Sequence, residues 1–311
     1  MTSAVTIPLG MSLPHRSVDA IDVNEIRHVA QRAEALGFQD LWVTENALDH
    51  AISFDPAVVL TYAAAVTSSV RLGVSVAVLP LRHPIHVAHQ VATLDCVSRG
   101  RAILGVGLGR AHEYSQFQVS AKHRVRALRE GVELIKAFWT EPTVTYRGRV
   151  YQVESAPMAI RPVQKPRPPI WLGAGHPEAV RRAAAIADGW MGAGGSTRAA
   201  FAASVPIIRE ALEKAGRDPA TFPISKRVFL SVHERAEVAR AEVHRWFTTV
   251  YRNPDAVDTT GVHGTPEQVR ERLDELIALG ANHLLLNPVC RYAEQVDALA
   301  HAMGLTPSRP M

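Results

Sequence analysis

The strongest constraint on the fold is the alternation of short apolar runs with helical patterns along almost the whole chain. Most of the predicted strands are continuous apolar runs, which is typical of parallel strands that are covered on both faces. Helices between the strands are the usual connection in such a sheet. The eight predicted strands cover residues 5–11, 40–45, 71–80, 101–107, 170–175, 188–193, 224–232 and 282–289.

Residues that begin or end helices mark the segments between these strands. Asn24 is predicted to cap the first helix and Gly37 to end it, and Pro84 suits the first position of a helix that runs to about Val97. The sequence TPEQ at residues 265–268 is the signature of a capping box. Further helices are predicted over about residues 56–67, 125–139, 198–215 and 236–247, from residue 177, and up to about residue 303.

Eight strand–helix units in 311 residues fit a closed (β/α)8 TIM barrel, which is an α/β fold. We expect a single domain over residues 1–311 with inserted segments at about 111–122, 140–168 and 248–264, of which the second contains a β-ribbon at residues 143–153. An open doubly wound sheet is the alternative, because the apolar pattern does not distinguish it from a barrel.

The composition argues against several classes of protein. Hydrophobic residues make up 47% of the chain and charged residues 21%, as in a globular protein with a sizeable core. The net charge of +4 is compatible with an acidic ligand. The basic residues are scattered along the chain, so nucleic-acid binding is not expected. Cys96 and Cys290 lie far apart in the sequence, which argues against a disulfide framework and fits a reducing compartment. Neither a signal peptide nor a membrane-spanning run is recognisable. We therefore expect a cytoplasmic protein that does not bind membranes.

Glycine-rich stretches follow several predicted strands. Residues 101–117 read RAILGVGLGRAHEYSQF, with the spacing G-x-G-x-G. A Rossmann domain needs G-x-G-x-x-G in its first strand–helix unit and an acidic residue about 20 residues later, so that interpretation fails. Similar stretches at residues 73–76, 172–178 and 189–196 would meet at the carboxyl face of a barrel, which favours a planar or phosphorylated ligand. Tight turns and close packing are the alternative explanation for each single glycine.

The stretch LGAGHPEAV predicts a site for an anion. Free backbone N–H groups at the start of a helix attract anions, and Pro177 suits the first helical position. The residues that would hold a phosphate are Gly173, Ala174, Gly175 and His176, with Arg110 as the counter-charge from a neighbouring loop.

Five stretches carry a resemblance to a known family: LWVTEN, LGVSVAVLPLRHPIHVAHQVATLD, SRGRAILGVGLGR, RPVQKPRPPIWLGAG and AIADGWMGAG. They are similar to the bacterial luciferase-like flavin monooxygenase superfamily, including its branch that uses the deazaflavin coenzyme F420. The similarity spans about residues 5–305 and is more specific for the superfamily than for its cofactor or substrate.

The resemblance implies that a flavin or deazaflavin binds at the mouth of the barrel. Members commonly have a cis non-proline bond in strand three that supports the back of the ring system, and the matching bond here is Ser75–Val76. Trp171 is the tryptophan expected nearest to the ring, although core packing is the default for Trp42, Trp171 and Trp190. The family's phosphate contacts map to Gly107, Gly109 and Arg110, to Gly173, Ala174, Gly175 and His176, and to Gly194, Gly195 and Ser196.

The sequence departs from the family at the end of strand two. Family members usually have an acidic residue followed by His, whereas this chain has Glu45 and Asn46. Asn cannot act as a general acid, so Glu45, His50, His112 or water would have to transfer the proton. The alternatives are that Glu45 only pairs with an Arg, that Asn46 caps a turn, and that His50 is an ordinary loop residue.

The spacing His83, His86 and His89 invites a metal site, but His83 precedes the proline that begins the helix and no carboxylate completes a ligand set. We therefore expect no bound metal. Family members often form homodimers through barrel helices, and the helix at residues 84–97 is rich in small and apolar residues that would suit such an interface.

These observations favour an F420-dependent oxidoreductase that exchanges hydride with a small organic substrate. An FMN-dependent luciferase-like monooxygenase is the first alternative. A non-catalytic flavin- or deazaflavin-binding protein is the second, and an unrelated barrel enzyme acting on a phosphorylated sugar is the third. The sequence does not identify the substrate.

Overall fold

The computed structural model describes residues 7–305, and its main sheet is a closed ring of eight parallel strands. Each barrel strand pairs with the next one along the chain, and β1 pairs with β8, so the ring has no free edge. This closure confirms the TIM barrel and excludes the open sheet. The strands, numbered in chain order, are β1 Leu9–Ser12, β2 Asp40–Val43, β3 Arg71–Val78, β4 Ala102–Gly107, β5 Ile170–Gly173, β6 Gly189–Gly192, β7 Ile224–Val232 and β8 His283–Pro288.

The longer helices lie between these strands and cover the outside of the barrel. Helix α1 is capped by Asp22, whose Oδ1 accepts the backbone N–H of Asn24 at 2.8 Å, so the prediction of Asn24 as the cap was wrong by two residues. Gly37 ends this helix with a positive φ, as predicted. The helices are α1 Val23–Leu36, α2 Pro56–Val66, α3 Pro84–Val97, α4 Arg124–Thr140, α5 Pro177–Ile186, α6 Arg198–Lys214, α7 Ala236–Trp246, α8 Pro266–Ala278 and α9 Tyr292–Met303.

Short elements occupy the connections. The predicted β-ribbon is present as the antiparallel pair Thr143–Arg147 and Gln152–Pro157. The strand Val262–Gly264, which extends the main sheet beside β7, was not predicted because three residues give too short a pattern. The remaining short elements are the strand pair Arg16–Ser17 and Ile52–Ser53 and the short helices Leu79–Leu81, Glu113–Gln116, Ala121–His123, Phe247–Tyr251 and Ala256–Thr259.

Several barrel strands end before their predicted limits. Strands β2, β3 and β5 each stop two residues early and β6 stops one residue early, so Glu45, Gly175 and Ala193 belong to loops at the barrel mouth. The first strand begins at Leu9, and residues 5 and 6 of its predicted range lie outside the described residues.

The barrel interior is filled by a cluster that contains two tryptophans. The rings of Trp42 and Trp171 lie 5.2 Å apart and both side chains are buried. A Cβ atom on Gly73 would lie 2.3 Å from the Trp42 ring, so this glycine makes room for the indole. Below the tryptophans, His283 Nε2 is 2.8 Å from Asp40 Oδ2. This packed interior forms the floor on which the mouth of the barrel is built.

Much of the apolar surface of helix α3, which was expected to form a dimer interface, packs against the barrel instead. Val87, Ala88 and Ala92 pack into the barrel's own core, and Val97, at the end of the helix, is 55% exposed. The homodimer stays a prediction that rests on the family resemblance.

Candidate active site

A cavity of about 890 Å³ opens at the carboxyl ends of the barrel strands. Active sites of TIM barrels lie at this face, because loops from several strands converge there. The cavity brings together most of the residues predicted for the site. Those that line it are Glu45, Asn46, His50, Ser75, Val76, Gly107, Gly109, Arg110, His112, Gly173, Ala174, Gly175, His176, Gly194 and Gly195.

One wall of the cavity is an irregular part of β3. The Ser75–Val76 peptide bond is cis, as predicted, and the pairing of β3 with β4 shifts register between Val74 and Ala77. Val76 lines the cavity at this point. The wall therefore presents an apolar side chain at the position where the resemblance predicts support for a planar ring.

Close packing inside the protein explains three glycines of the glycine-rich stretches. A Cβ atom on Gly105 would lie 2.0 Å from the carbonyl oxygen of Val74. On Gly107 it would lie 2.5 Å, and on Gly173 2.9 Å, from methyl groups of Val76. These glycines make room for the irregular strand. Close packing, the alternative to ligand binding, therefore explains their direct contacts, which are with protein atoms.

Gly175 is different, because a Cβ atom there would meet nothing within 4 Å. It lines the cavity just before α5, whose N-cap is His176 and whose first residue is Pro177. The Nδ1 atom of His176 accepts the backbone N–H of Glu178 at 3.3 Å. Arg182, one turn further along α5, also lines the cavity and was not predicted. A helix N-terminus open to the cavity, with a guanidinium nearby, is suited to bind a phosphate.

Arg110 lines the cavity but is already paired within the protein. Its Nη2 donates to Glu113 Oε1 at 2.7 Å and to the carbonyl oxygen of Leu48 at 3.1 Å. Glu113 Oε2 also accepts the backbone N–H of Arg110 at 3.0 Å. These contacts hold the loop after β4 in place, and they leave Arg182 as the cation next to the helix terminus.

The residues at the end of β2 also have partners. Glu45 Oε1 accepts from Arg82 Nε and Oε2 accepts from the backbone N–H of Val78, both at 2.7 Å. The amide of Asn46 donates to Thr44 Oγ1 at 2.6 Å. Pairing of Glu45 with an Arg was one of the alternatives considered, and the contacts favour a positioning role for this carboxylate.

His15 lies behind this strand end, was not predicted, and does not line the cavity. Its Nε2 accepts the backbone N–H of Thr44 at 2.7 Å and its Nδ1 is 2.8 Å from the carbonyl oxygen of Leu13. Burial lowers the pKa of His15 to about 4. A neutral imidazole therefore fixes Thr44, which in turn fixes the amide of Asn46.

His50 faces the cavity from the loop after β2. Its Nε2 is 2.7 Å from Arg252 Nη2. Because a guanidinium can only donate, Nε2 accepts and the proton of the neutral ring is on Nδ1. His50 can thus donate a hydrogen bond from Nδ1 to a ligand, and no other hydrogen bond occupies that atom among the residues that the structure describes.

Arg227 is the main functional candidate that sequence reasoning missed. Its side chain lines the cavity, with Nη1 donating to the carbonyl oxygen of Ser75 at 2.9 Å and Nη2 to the hydroxyl of Tyr251 at 3.2 Å. Its Nε has no partner, and no carboxylate pairs with it, within residues 7–305. Burial lowers the pKa of Arg227. A guanidinium placed in this way can bind a negatively charged group in the cavity.

Two predicted cofactor contacts lie away from the cavity wall. Trp171 is buried in the barrel interior, so its expected contact with the ring is not supported. Ser196 lies behind the loop after β6, where its Oγ accepts from Lys226 Nζ at 3.0 Å. Burial lowers the pKa of Lys226 to about 7. The role of this buried lysine is to hold the loop that carries Gly194 and Gly195.

A sequence model of the luciferase-like monooxygenases matches residues 7–257 of the chain. The chain belongs to this family. It is 31% identical over 239 residues to an F420-dependent glucose-6-phosphate dehydrogenase from Kineococcus radiotolerans, covering 74% of this chain and 70% of the relative. It is 28% identical over 272 residues to a 5,10-methylenetetrahydromethanopterin reductase from Methanopyrus kandleri, covering 82% and 76% of the two chains.

Solved structures of the same architecture agree with this membership. The monooxygenase RslO1 from Streptomyces bottropensis superposes with a TM-score of 0.81 at 25% identity, covering 96% of this chain and 97% of that one. The coenzyme F420-dependent tetrahydromethanopterin reductase from Methanopyrus kandleri also gives 0.81, at 21% identity, with 95% and 98% covered. At that identity the second comparison supports the fold alone.

Of the three histidines that suggested a metal site, His83 has another role in this luciferase-like barrel. His83 is the N-cap of α3, and its Nδ1 accepts the backbone N–H of Ile85 at 3.3 Å. In the described part of the chain, no three His, Cys, Asp or Glu side chains are arranged to hold a metal ion. None of the helices in residues 7–305 is both long and apolar enough to cross a membrane.

Proposed function

We propose that the protein is an F420-dependent oxidoreductase that transfers hydride between the deazaflavin and a small organic substrate. The observation that carries the proposal is the pairing of two features in one cavity. Val76 provides an apolar wall at the cis bond, and the open N-terminus of α5 at Gly175 provides an anion site. In a planar ring joined to a phosphate, the ring would match the apolar wall and the phosphate would match the anion site.

The choice of F420 rests on the relatives. A dehydrogenase that depends on F420 shares 31% identity with this chain. When bound, a deazaflavin supplies the hydride chemistry, and the protein supplies position and electrostatics. In this proposal, Val76 supports one face of the ring, while the backbone at Ala174 and Gly175, together with Arg182, binds the phosphate.

The catalytic candidates Glu45, Asn46 and His50 differ in how many of their hydrogen-bonding atoms are already engaged. Glu45 is held by Arg82 and a backbone N–H, and Asn46 is held by Thr44. His50 retains a free Nδ1–H beside the cavity. We therefore assign proton transfer to His50, whose Nε2 would leave Arg252 and take up a proton from solvent as Nδ1 releases one, and positioning to Glu45 and Asn46. Arg227 would bind negative charge on the ring edge or on the substrate.

An FMN-dependent monooxygenase is the second candidate function. It is favoured by the likeness to the monooxygenase RslO1, which extends over 96% of this chain. Such an enzyme would use the same cavity, but its reduced cofactor would activate oxygen.

A turnover experiment separates the candidates. The protein is mixed without oxygen with reduced F420 and a panel of carbonyl or alkene acceptors, and the absorbance of oxidised F420 is followed. We expect oxidation that depends on both protein and acceptor. In a second arm, reduced FMN and oxygen are supplied with the same panel of acceptors. An oxygenated product that depends on the protein, without oxidation of F420 in the first arm, would support the monooxygenase instead. Cofactor binding without turnover in either arm would indicate a non-catalytic binding protein.

A further inference from the structure

A second group of cations lines the large cavity, away from the start of α5. Arg16 comes from the short strand after β1, Arg227 from β7, and Arg252 from the segment after the short helix Phe247–Tyr251. We call these three residues the arginine cluster. The anion site at Gly175 follows β5, which lies across the ring of strands from β1 and two strands away from β7. A phosphate bound at the start of α5 would therefore occupy a different part of the cavity.

Arg16 is buried although it carries a charge, with only 5% of its surface exposed. Its Nη2 forms an ion pair with Asp49 Oδ2, and its guanidinium carbon lies 5.2 Å from the centre of the Trp246 ring. Its Nε is buried and has no hydrogen-bond partner within residues 7–305. Because buried polar atoms are nearly always paired, this donor in the cavity wall is suited to a ligand that supplies an acceptor.

Arg227 lies close to Arg16 and has a free donor of its own. The pKa of Arg227 is lowered by burial, and the positive charge of Arg16 lowers it further. A Cβ atom on Gly194 would lie 2.6 Å from Arg227 Nε, so the loop after β6 makes room for this guanidinium. The Nε atom has no hydrogen-bond partner in the described part of the chain. Two guanidinium groups in the same cavity wall thus each keep an unsatisfied donor.

The carboxylates near the arginine cluster do not balance its charge. Asp49 pairs with Arg16 through Oδ2, and its Oδ1 accepts the backbone N–H of His50 at 2.7 Å. Among residues 7–305, no ion pair forms at Arg227 or Arg252. Arg252 instead contacts the neutral ring of His50 at 2.7 Å. Three guanidinium groups and one carboxylate leave an excess of positive charge on this side of the cavity.

The other carboxylates in the cavity wall are already engaged. Glu45 pairs with Arg82, and Glu113 pairs with Arg110, both at 2.7 Å. Neither is therefore available to neutralise the arginine cluster. Unbalanced positive charge in a partly enclosed cavity attracts anions, and guanidinium groups form strong hydrogen bonds to carboxylates and phosphates.

We propose that the arginine cluster binds an anionic group of the substrate, a carboxylate or a phosphate, so that the substrate is an organic anion. The proposal rests on the proposed function and specifies its substrate class. Arg227 and Arg16 would donate hydrogen bonds to the anion, and Arg252 would add positive charge at the more exposed side. Because Arg252 also contacts His50, an anion at the cluster would place the rest of the substrate beside the residue assigned to proton transfer.

The test uses the full-length protein saturated with oxidised F420, so that the start of α5 is occupied. Three small probes that share a benzene ring are titrated by calorimetry: benzoate, phenyl phosphate and the neutral benzamide. We expect at least one anion to bind at least about tenfold more tightly than benzamide, and the difference to shrink at high salt. The anion that binds more tightly identifies the preferred group as a carboxylate or a phosphate.

Variants of the cluster test which residues bind the anion. Arg227→Met should weaken the tighter anion by at least about tenfold and leave benzamide unchanged, whereas Arg227→Lys should retain part of the preference. Arg252→Met removes a more exposed charge and should weaken the anion about threefold. Arg16 is not replaced alone, because its loss would leave the buried carboxylate of Asp49 without its ion-pair partner.

Arg182→Met is the matched control, because Arg182 lines the same cavity beside the start of α5. This variant should weaken the binding of F420. Once it is saturated with the cofactor, its affinity for the anions should equal that of the unaltered protein. Circular dichroism shows whether each variant is folded.

The possible failures are distinguishable. If benzamide binds as tightly as both anions, or Arg227→Met does not change their affinities, the proposal fails and the proposed function stands. If Arg227→Met weakens F420 binding and leaves anion binding unchanged, Arg227 contacts the cofactor and the proposal also fails.

If F420 does not bind to the unaltered protein, the proposed function fails. The same titrations of the cofactor-free protein then test the arginine cluster as an anion site. Loss of anion binding in Arg227→Met but not in Arg182→Met would support that site, and the reverse would contradict it.

Discussion

His50 and Glu45 lie at the same end of the cavity, but their hydrogen bonds suit them to different tasks. Both oxygens of Glu45 accept hydrogen bonds at 2.7 Å, from Arg82 and from the backbone of Val78. A carboxylate engaged in this way holds two strand ends together. The His50 ring is held at one nitrogen only, so its Nδ1–H can donate to a bound ligand.

The variant His50→Gln should lower turnover by about 100-fold, because the side chain can no longer transfer a proton. Cofactor affinity should stay close to that of the unaltered protein. Glu45→Gln keeps an acceptor for the Val78 N–H and should lower turnover less than His50→Gln. Steady-state kinetics and cofactor titration of both variants measure these effects. A larger loss in Glu45→Gln than in His50→Gln would return the acid–base role to Glu45.

The sequence around Arg227 contains a pattern that could have identified this residue. The pair Lys226 and Arg227 interrupts an otherwise apolar strand, and a charged residue inside a barrel strand is buried unless it reaches the mouth. The pattern alone could not assign the two roles. Lys226 holds a loop behind the site, whereas Arg227 lines the cavity. That division depends on which face of β7 each residue occupies.

At the scale of elements, the glycines of β4 and β5 support the irregular part of β3. Gly105, Gly107 and Gly173 are each too close to residues 74–76 to carry a side chain without movement. The glycine pattern correctly indicated the location of the site. The pattern could not show that the direct neighbours of these glycines are protein atoms, because contacts between strands are not visible in a linear sequence.

Two glycine substitutions test this distinction. Gly107→Ala places a Cβ atom 2.5 Å from a methyl group of Val76 and should lower the free energy of unfolding by ~1–3 kcal/mol. Gly175→Ala enters open space and should leave stability nearly unchanged, while Gly175→Val should weaken cofactor binding by at least ~1–2 kcal/mol. Urea unfolding and cofactor titration measure the two effects. Equal stabilities of Gly107→Ala and Gly175→Ala would contradict the packing argument.

The helices and strands were predictable to different degrees. Helices with clear terminal signals were predicted well: Pro84 to Val97 agrees at both ends, and the capping box at Thr265 and Gln268 is present. The predicted ends of the strands at the barrel mouth were less accurate. Residues such as Gly175 continue an apolar or glycine-rich run, but they have left the sheet to form loops, and only the pairing of strands defines that point.

At the scale of the whole molecule, the arrangement of charge matters more than the net charge of +4. The basic residues are scattered in sequence, yet folding gathers Lys122, Arg126 and Arg129 around a second cavity and places Arg182 at the mouth of the barrel. The sequence showed an excess of cations and could not show this arrangement, because it depends on how distant parts of the chain come together in the fold. The cytoplasmic location and the homodimer remain predictions from the sequence and the family resemblance.

The most direct test of the central claim is a titration of the same protein with F420 and with FMN, followed by fluorescence under identical buffer conditions. If the protein is an F420-dependent oxidoreductase, as proposed from its relatives, F420 will bind at least tenfold more tightly than FMN (about 1.4 kcal/mol). Tight binding of FMN with no measurable binding of F420 would contradict the assignment of the cofactor.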